Sequence, residues 1–279
     1  MESKKADEGQ VKDLRQILSK DLDWTSYAIK DEIQTYRDLS TNLKDEEIKA
    51  IEIGLKNLQK EKEYYRSVPQ VQIDFETKQI QMLSWPLFKE MNNIGSDILT
   101  PTGLSIGLIS ADQQIISFQR SKENEFCPGF LGTPARYMRI SKKELAREIT
   151  LSDLVDFNVR ATLENEIGLK NDDYDFTTYC LCNVSYPYNQ KELIVLAQSQ
   201  LSADEIGKKA KHNNDLYYVN EKNILILNKK KIDKLFLEKK VPVAQQHAIA
   251  LQLAAQVAEL TIIKQEKTKS VFDIQNPQA

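Results

Sequence analysis

Acidic side chains crowd the middle of this chain: Glu148, Asp153, Asp156, Glu164 and Glu166 all precede a Gly168-Leu169 pair. Carboxylates are the side chains of general acid-base work and of hard-cation binding. On a helical projection, Val155, Val159, Thr162, Leu163 and Glu166 share a mostly apolar stripe, whereas Asp153, Asp156, Arg160 and Glu164 form a separate polar one. A carboxylate at the margin of an apolar stripe is the one directed toward the body of the protein, so Glu166 heads the candidates. Arg120 stands at the end of a strand-like run, where a cation could simply cover a loop. Cys180 and Cys182 stand two apart on one strand face. With no second cysteine–histidine pair in the sequence, they read as packed thiols rather than half of a metal site. His212 and His247 lack any flanking ligand pattern and read as structural or surface residues. Lys208-Lys209 and Lys229-Lys230-Lys231 read as solvated helix faces. The sequence contains no G-x-S-x-G elbow, Walker-type loop or Cys/His nucleophile pairing.

The elements that must position these acids follow in order. Residues 103–110 and 114–119 read as two strands. Residues 121–136 hold Pro128, Gly129, Gly132 and Pro134 and read as loop. Ser141 and Glu144 fit a capping box for a short helix to Ile149. A long helix then begins at Leu151-Ser152, and Gly168 ends it. Strands over 174–185 and 193–199, a helix from about Ala203, strand-like runs at 216–219 and 224–227, and helices over 229–239 and 243–264 complete an α/β sandwich with a mixed sheet. Upstream, apolar residues recur at helical spacing in two sets, Val11, Leu14, Ile17 and Leu18, then Tyr27, Ile29, Ile33 and Tyr36. A third helix has Asp45-Glu46-Glu47 in its first turn and runs toward Tyr64. The resulting division is a helical N-terminal region over 1–67, a β-hairpin and helix adapter over 68–100, a main domain over 101–264 and a polar, frayed tail over 265–279.

That layout of strand, strand ending in Gln119-Arg120-Ser121, Pro128-Gly129 loop, acidic helix and Gly168-Leu169 resembles the Nudix superfamily. Its members act on nucleoside diphosphates linked to another group, and nucleotide-sugar types have the closest layout. The superfamily signature is G-x5-E-x7-R-E-U-x-E-E-x-G-U, with U a bulky apolar residue; its carboxylates hold magnesium against a diphosphate. Anchored on Gly168-Leu169, the resemblance puts the final glutamate on Glu166 and its partner on Asn165. The glutamate of R-E falls on Thr162, the arginine on Ala161, the upstream glutamate on Asp153 and the opening glycine on Arg147. Sliding by one place aligns Arg160 and Glu164 instead but misplaces Gly168. The resemblance thus implies Glu166, Glu164 and Asp153 as catalytic candidates, Glu166, Asp153 and Asn165 as magnesium ligands, weak or none, and Arg120 and Arg160 as contacts to a bound phosphate.

Two functions follow. One is a divergent module that has largely lost its metal ligands and binds a nucleotide-diphosphate-type ligand or a protein partner; the long amphipathic extension favours this reading slightly. The other is a working magnesium-dependent pyrophosphohydrolase that recruits Glu148, Asp153, Asp156 and Glu164. Composition narrows the partners. A net charge of -3 across 279 residues offers no basic surface for nucleic acid, and no apolar run approaches the roughly 20 residues that span a bilayer. Residues 10–67 could serve a protein partner or a homodimer. The charged MESKKADEGQ start and an odd cysteine count point to the cytoplasm.

Overall fold

The computed structural model describes residues 17–31, 34–35, 43–58, 60, 69–96, 98–119, 129–140, 148–184, 189–211, 224–238 and 243–275. Its centre is a mixed sheet built on six strands: β1 (Ile17–Leu18), β5 (Gly103–Ile109), β6 (Ile115–Gln119), β10 (Tyr174–Val184), β11 (Gln190–Ser199) and β12 (Ile224–Leu227). They lie in the order β1-β10-β11-β5-β6-β12. The short strands β7 (Leu131–Gly132) and β8 (Ala135–Tyr137) pair with β6 and β5. β11 runs parallel to β5 and antiparallel to β10.

Strand alternation sorts the sheet into two faces. Leu104, Ile106 and Leu108 of β5 and Leu193, Val195 and Ala197 of β11 pack with Leu154, Val155, Val159 and Leu163 of helix α3 (Leu151–Ile167). On the other face, Ile109 and Ile115 meet Leu251, Ala254 and Ala258 of helix α6 (Gln245–Gln275). Gly107 makes that second contact possible, because a Cβ there would stand 2.7 Å from the Ala250 carbonyl oxygen. Helices on both faces of a mixed sheet make the expected α/β/α sandwich. Helices α4 (Ala203–Lys211) and α5 (Lys229–Glu238) also lie where the sequence puts them.

A second sheet comprises β2 (Ser26–Lys30), β3 (Gln70–Asp74), β4 (Gln79–Leu83) and β9 (Glu148–Thr150), in the order β3-β4-β2-β9. The expected hairpin and the helix after it, α2 (Trp85–Asn93), are both present. Helix α1 (Asp45–Leu58) bears out the third N-terminal helix and packs on α2, where Gly54 lets it approach Leu87.

Several expectations are corrected. Ile17–Leu18 pairs with Leu181 and Cys180 as a strand, and Tyr27 and Ile29 lie in strand β2 rather than in a helix. Their i, i+2 spacing suits a strand face, and pairing with β4 and β9 outweighs local helical preference. Within the expected 121–136 loop, β7 and β8 form because the edges of β6 and β5 accept them. Ile149 sits in β9, not at a helix end. Residues 265–275 continue α6 instead of fraying. The sheet of β2, β3, β4 and β9 also joins residues from all three expected domains, so their boundaries do not separate independent units. Val11, Leu14, Ile33, Tyr36, the 141–147 capping box and the 216–219 run lie outside the described residues.

Candidate functional site

Helix α3 carries the expected acids, and its ends are fixed locally. Thr150 is the N-cap: its hydroxyl accepts from Asp153 N at 3.0 Å and donates to the Asp153 carboxylate at 2.6 Å. Asp153 is thereby an exposed first-turn acid facing the positive end of the dipole. At the other end Gly168 takes φ 77°, the left-handed conformation that closes the helix. Thirteen positions separate Asp153 from Glu166, roughly 20 Å at 1.5 Å per residue. These two carboxylates cannot share one ion.

Glu166 does face the body. Half-buried at the margin of the apolar stripe, its Oε2 accepts from Ala135 N at 3.2 Å, on the backbone of β8. Its neighbours in the signature register add little to a metal site. Asn165 is exposed, and Thr162 is buried with its hydroxyl donating to the Asn158 carbonyl at 2.7 Å. Glu164 lies on the exposed face, and Arg160 is paired with Asp156 at 2.6 Å. Asp156 and Arg160 of the polar stripe are thus paired with each other at the surface. Magnesium needs oxygen ligands in near-octahedral order, usually from one or two carboxylates with substrate phosphates. One carboxylate already engaged by a backbone N–H, beside an amide and an occupied hydroxyl, does not fit that requirement. Among the described residues no group of three His, Cys, Asp or Glu side chains is placed to hold a metal ion. Arg120, Glu144, Arg147, Cys127 and His212 lie outside the described residues.

Three features were not legible as functional in the sequence. Asn158 sits fully buried on the apolar stripe of α3 and bridges the backbone of residue 139. Its Oδ1 accepts from Arg139 N at 2.8 Å, and its Nδ2 donates to the carbonyls of Arg139 and Leu154 at 2.9 and 2.8 Å. A lone asparagine among apolar stripe positions was the available signal. Glu192, only 2% exposed, accepts from Ser105 Oγ at 2.6 Å and Gln190 Nε2 at 2.7 Å. Burial pushes its pKa up to about 7 against the pull of those two hydrogen bonds. A Cβ on Gly103 would overlap its carboxylate, so the glycine makes room for it. Third, Trp85, Phe88 and Tyr137 form a ring cluster with centroid separations of 5.4–6.4 Å.

The remaining candidates lie in the interior. Cys180 and Cys182 are buried with sulfurs 3.5 Å apart, against Ile249, Ala250 and Leu253 of α6. His247 is buried, with Nδ1 3.0 Å from the Thr133 hydroxyl.

No protein-family model matches the chain, and neither does any curated protein. Solved structures similar to it include three bacterial or archaeal proteins. The Deinococcus radiodurans protein DR0079 is 8% identical over 67% of this chain and 98% of its own, with a TM-score of 0.42. A MutT protein from Methanosarcina mazei is 10% identical over 56% and 93%, with a TM-score of 0.34. RenU, a Nudix hydrolase from M. smegmatis, is 11% identical over 57% and 84%, with a TM-score of 0.32. Among the described residues no helix is long and apolar enough to cross a membrane.

Proposed function

We propose that this chain is a divergent Nudix-like module that binds a nucleotide-diphosphate-type ligand without hydrolysing it efficiently. The observation that carries this reading is the environment of Glu166. The one acid directed inward from α3 is held by the Ala135 N–H, and its signature neighbours are neutral. Without two or three carboxylates at that point among the described residues, a metal-bound water could not be generated there beside a diphosphate, and the charge developing at phosphorus would go uncompensated. The rival reading, a hydrolase that recruits other acids, asks for a cluster. Glu148 lies in β9, Asp153 is tied to Thr150, Asp156 to Arg160, and Glu164 stands exposed.

The test is a panel of ADP-ribose, UDP-glucose and ADP, assayed for binding by calorimetry and for hydrolysis by coupled phosphate release, with magnesium or manganese present. Binding without turnover is the expected result. Turnover abolished by Glu166→Gln would overturn the proposal in favour of a working hydrolase.

A further inference from the structure

Strand β10 places two nucleophilic side chains in contact. Cys180 and Cys182 stand two residues apart, so strand alternation turns both toward α6. Both are free thiols, fully buried, with their sulfurs 3.5 Å apart. Two strand steps separate the Cα atoms by roughly 6.6 Å, inside the span of roughly 4.4–6.8 Å that a disulfide bridges.

The surroundings of the pair are permissive. The register of β10 on β11 shifts between Thr178 and Cys180, leaving Tyr179 as a bulge beside the first sulfur. A bulged strand bends and re-aims the side chains next to it. Toward the sheet edge, β1 pairs with β10 only at Cys180 and Leu181 among the described residues. The cover over the sulfurs is thin as well. Ile249 and Leu253 of α6 pack there with Ile194 and Ala250, and those first two are themselves half-buried. A local opening of that cover admits a molecule little larger than water.

Electrostatics separate the two sulfurs. With Cys182 as donor, the hydrogen bond between them holds the Cys180 pKa below the ordinary thiol value. That same bond, burial and the negative charge of Glu192 push Cys182 up. Glu192 is the cross-strand partner of Cys182, and Ser105 and Gln190 hold its carboxylate. Cys180 is therefore the nucleophile, and Cys182 is the thiol waiting beside it.

We infer that Cys180 and Cys182 form a peroxide-oxidisable pair that closes reversibly into a disulfide within β10. Cys180 Sγ attacks one oxygen of hydrogen peroxide. The O–O bond breaks, and the departing hydroxide takes up the proton that Cys180 gave up, leaving as water. Cys182 Sγ then attacks the sulfur of the resulting Cys180 sulfenic acid. The S–O bond breaks, the S–S bond forms, and the Cys182 proton leaves with the second hydroxide as water. Two thiols and one peroxide thus give one disulfide and two waters, with the sulfurs oxidised and the peroxide reduced. The ring closed spans only three residues and sits at the wide end of the Cα range, so this bond is a labile one rather than a stabilising staple. The site does not depend on the nucleotide reading.

The test uses the full chain carrying Cys127→Ser, which leaves the pair as its only cysteines. The folded protein is treated with peroxide, denatured and labelled with N-ethylmaleimide. The expected intact mass is two hydrogens lighter, with no maleimide adduct, and dithiothreitol should restore both adducts. Cys182→Ser should stop at a Cys180 sulfenic acid trapped by dimedone, whereas Cys180→Ser should react with peroxide at least tenfold more slowly. Both adducts surviving peroxide, a disulfide linking two chains, or oxygen atoms added without loss of both thiols would each overturn the pair. Equal dimedone labelling of the two single variants would overturn the roles given to the two sulfurs. If a serine variant fails to fold, peptide mapping of the unsubstituted chain after peroxide decides: no peptide holding a Cys180–Cys182 bond overturns the site.

Discussion

Glu192 is a carboxylate held inside the sandwich with hydroxyl and amide donors but no cation beside it among the described residues. Its pKa, raised to about 7, has a consequence for stability. Because the folded value lies above the unfolded one of about 4.3, the folded protein binds the extra proton between those two points. Stability is therefore greatest below about pH 4.3 as far as this group is concerned, falls as pH rises through about 7, and is flat above. The difference between those two plateaus is roughly 4 kcal/mol. Cys182 of β10 interacts electrostatically with Glu192, so the comparison must isolate Glu192. Urea unfolding of the parent and of Glu192→Gln from pH 5 to 8 should show the variant losing the downward slope and being the more stable at pH 8. A parallel pair of curves would refute the assignment. Asn158 gives a second prediction at this scale. Asn158→Leu keeps the volume but leaves the Arg139 N–H and carbonyl without their side-chain partner, an expected loss of about 2 kcal/mol in urea.

Elements respond to closer geometry than composition shows. Gly107 sits where α6 crosses β5, and Gly107→Val would drive a side chain into the Ala250 carbonyl and Leu196. The expected cost is about 2 kcal/mol or more, read as a lower urea midpoint at unchanged m-value. The same contrast explains what the sequence could and could not show. Helix α3 was readable end to end, because its buried stripe repeats at 3.6 residues and Gly168 marks its stop. β5 and β6 were readable as apolar runs between turn residues. Strands β2, β7, β8 and β9 are two to five residues long. Each owes its extended form to an edge supplied from far along the chain, and no local periodicity carries that information. The site divides along the same line. Glu166 was placed correctly at the inward margin of its helix, since helix geometry alone decides that. Its partner, the N–H of Ala135, belongs to a strand that composition disguised as loop. Gln70, Leu83 and Arg139 likewise lie side by side only through the alignment of three distant segments.

At the scale of the whole molecule, the pairing of β2 between β4 and β9 decides whether the N-terminal region is an appendage. An appendage could be removed with little effect on the body. Here Tyr27 is fully buried in the main core, with its hydroxyl donating to the Asp23 carbonyl at 3.0 Å, and its ring stands edge-on to Phe75 at 6.3 Å. Removing β2 would strip a large aromatic from the core. It would also leave β4 and β9, now on either side of the gap, with unpaired backbone edges. Burial of one such side chain stabilises by about 1.5–3 kcal/mol, and the lost strand pairings add to that. Since domains of this size are held by only about 5–15 kcal/mol, a chain beginning at residue 68 should lose cooperative unfolding or show a much lower urea midpoint. It should also expose apolar surface to a dye such as ANS. The point variant Tyr27→Ala should move in the same direction by about 3 kcal/mol. A truncated chain that unfolds cooperatively at the parent's midpoint would show instead that the second sheet closes without β2, and that residues 1–67 are a separable interaction segment.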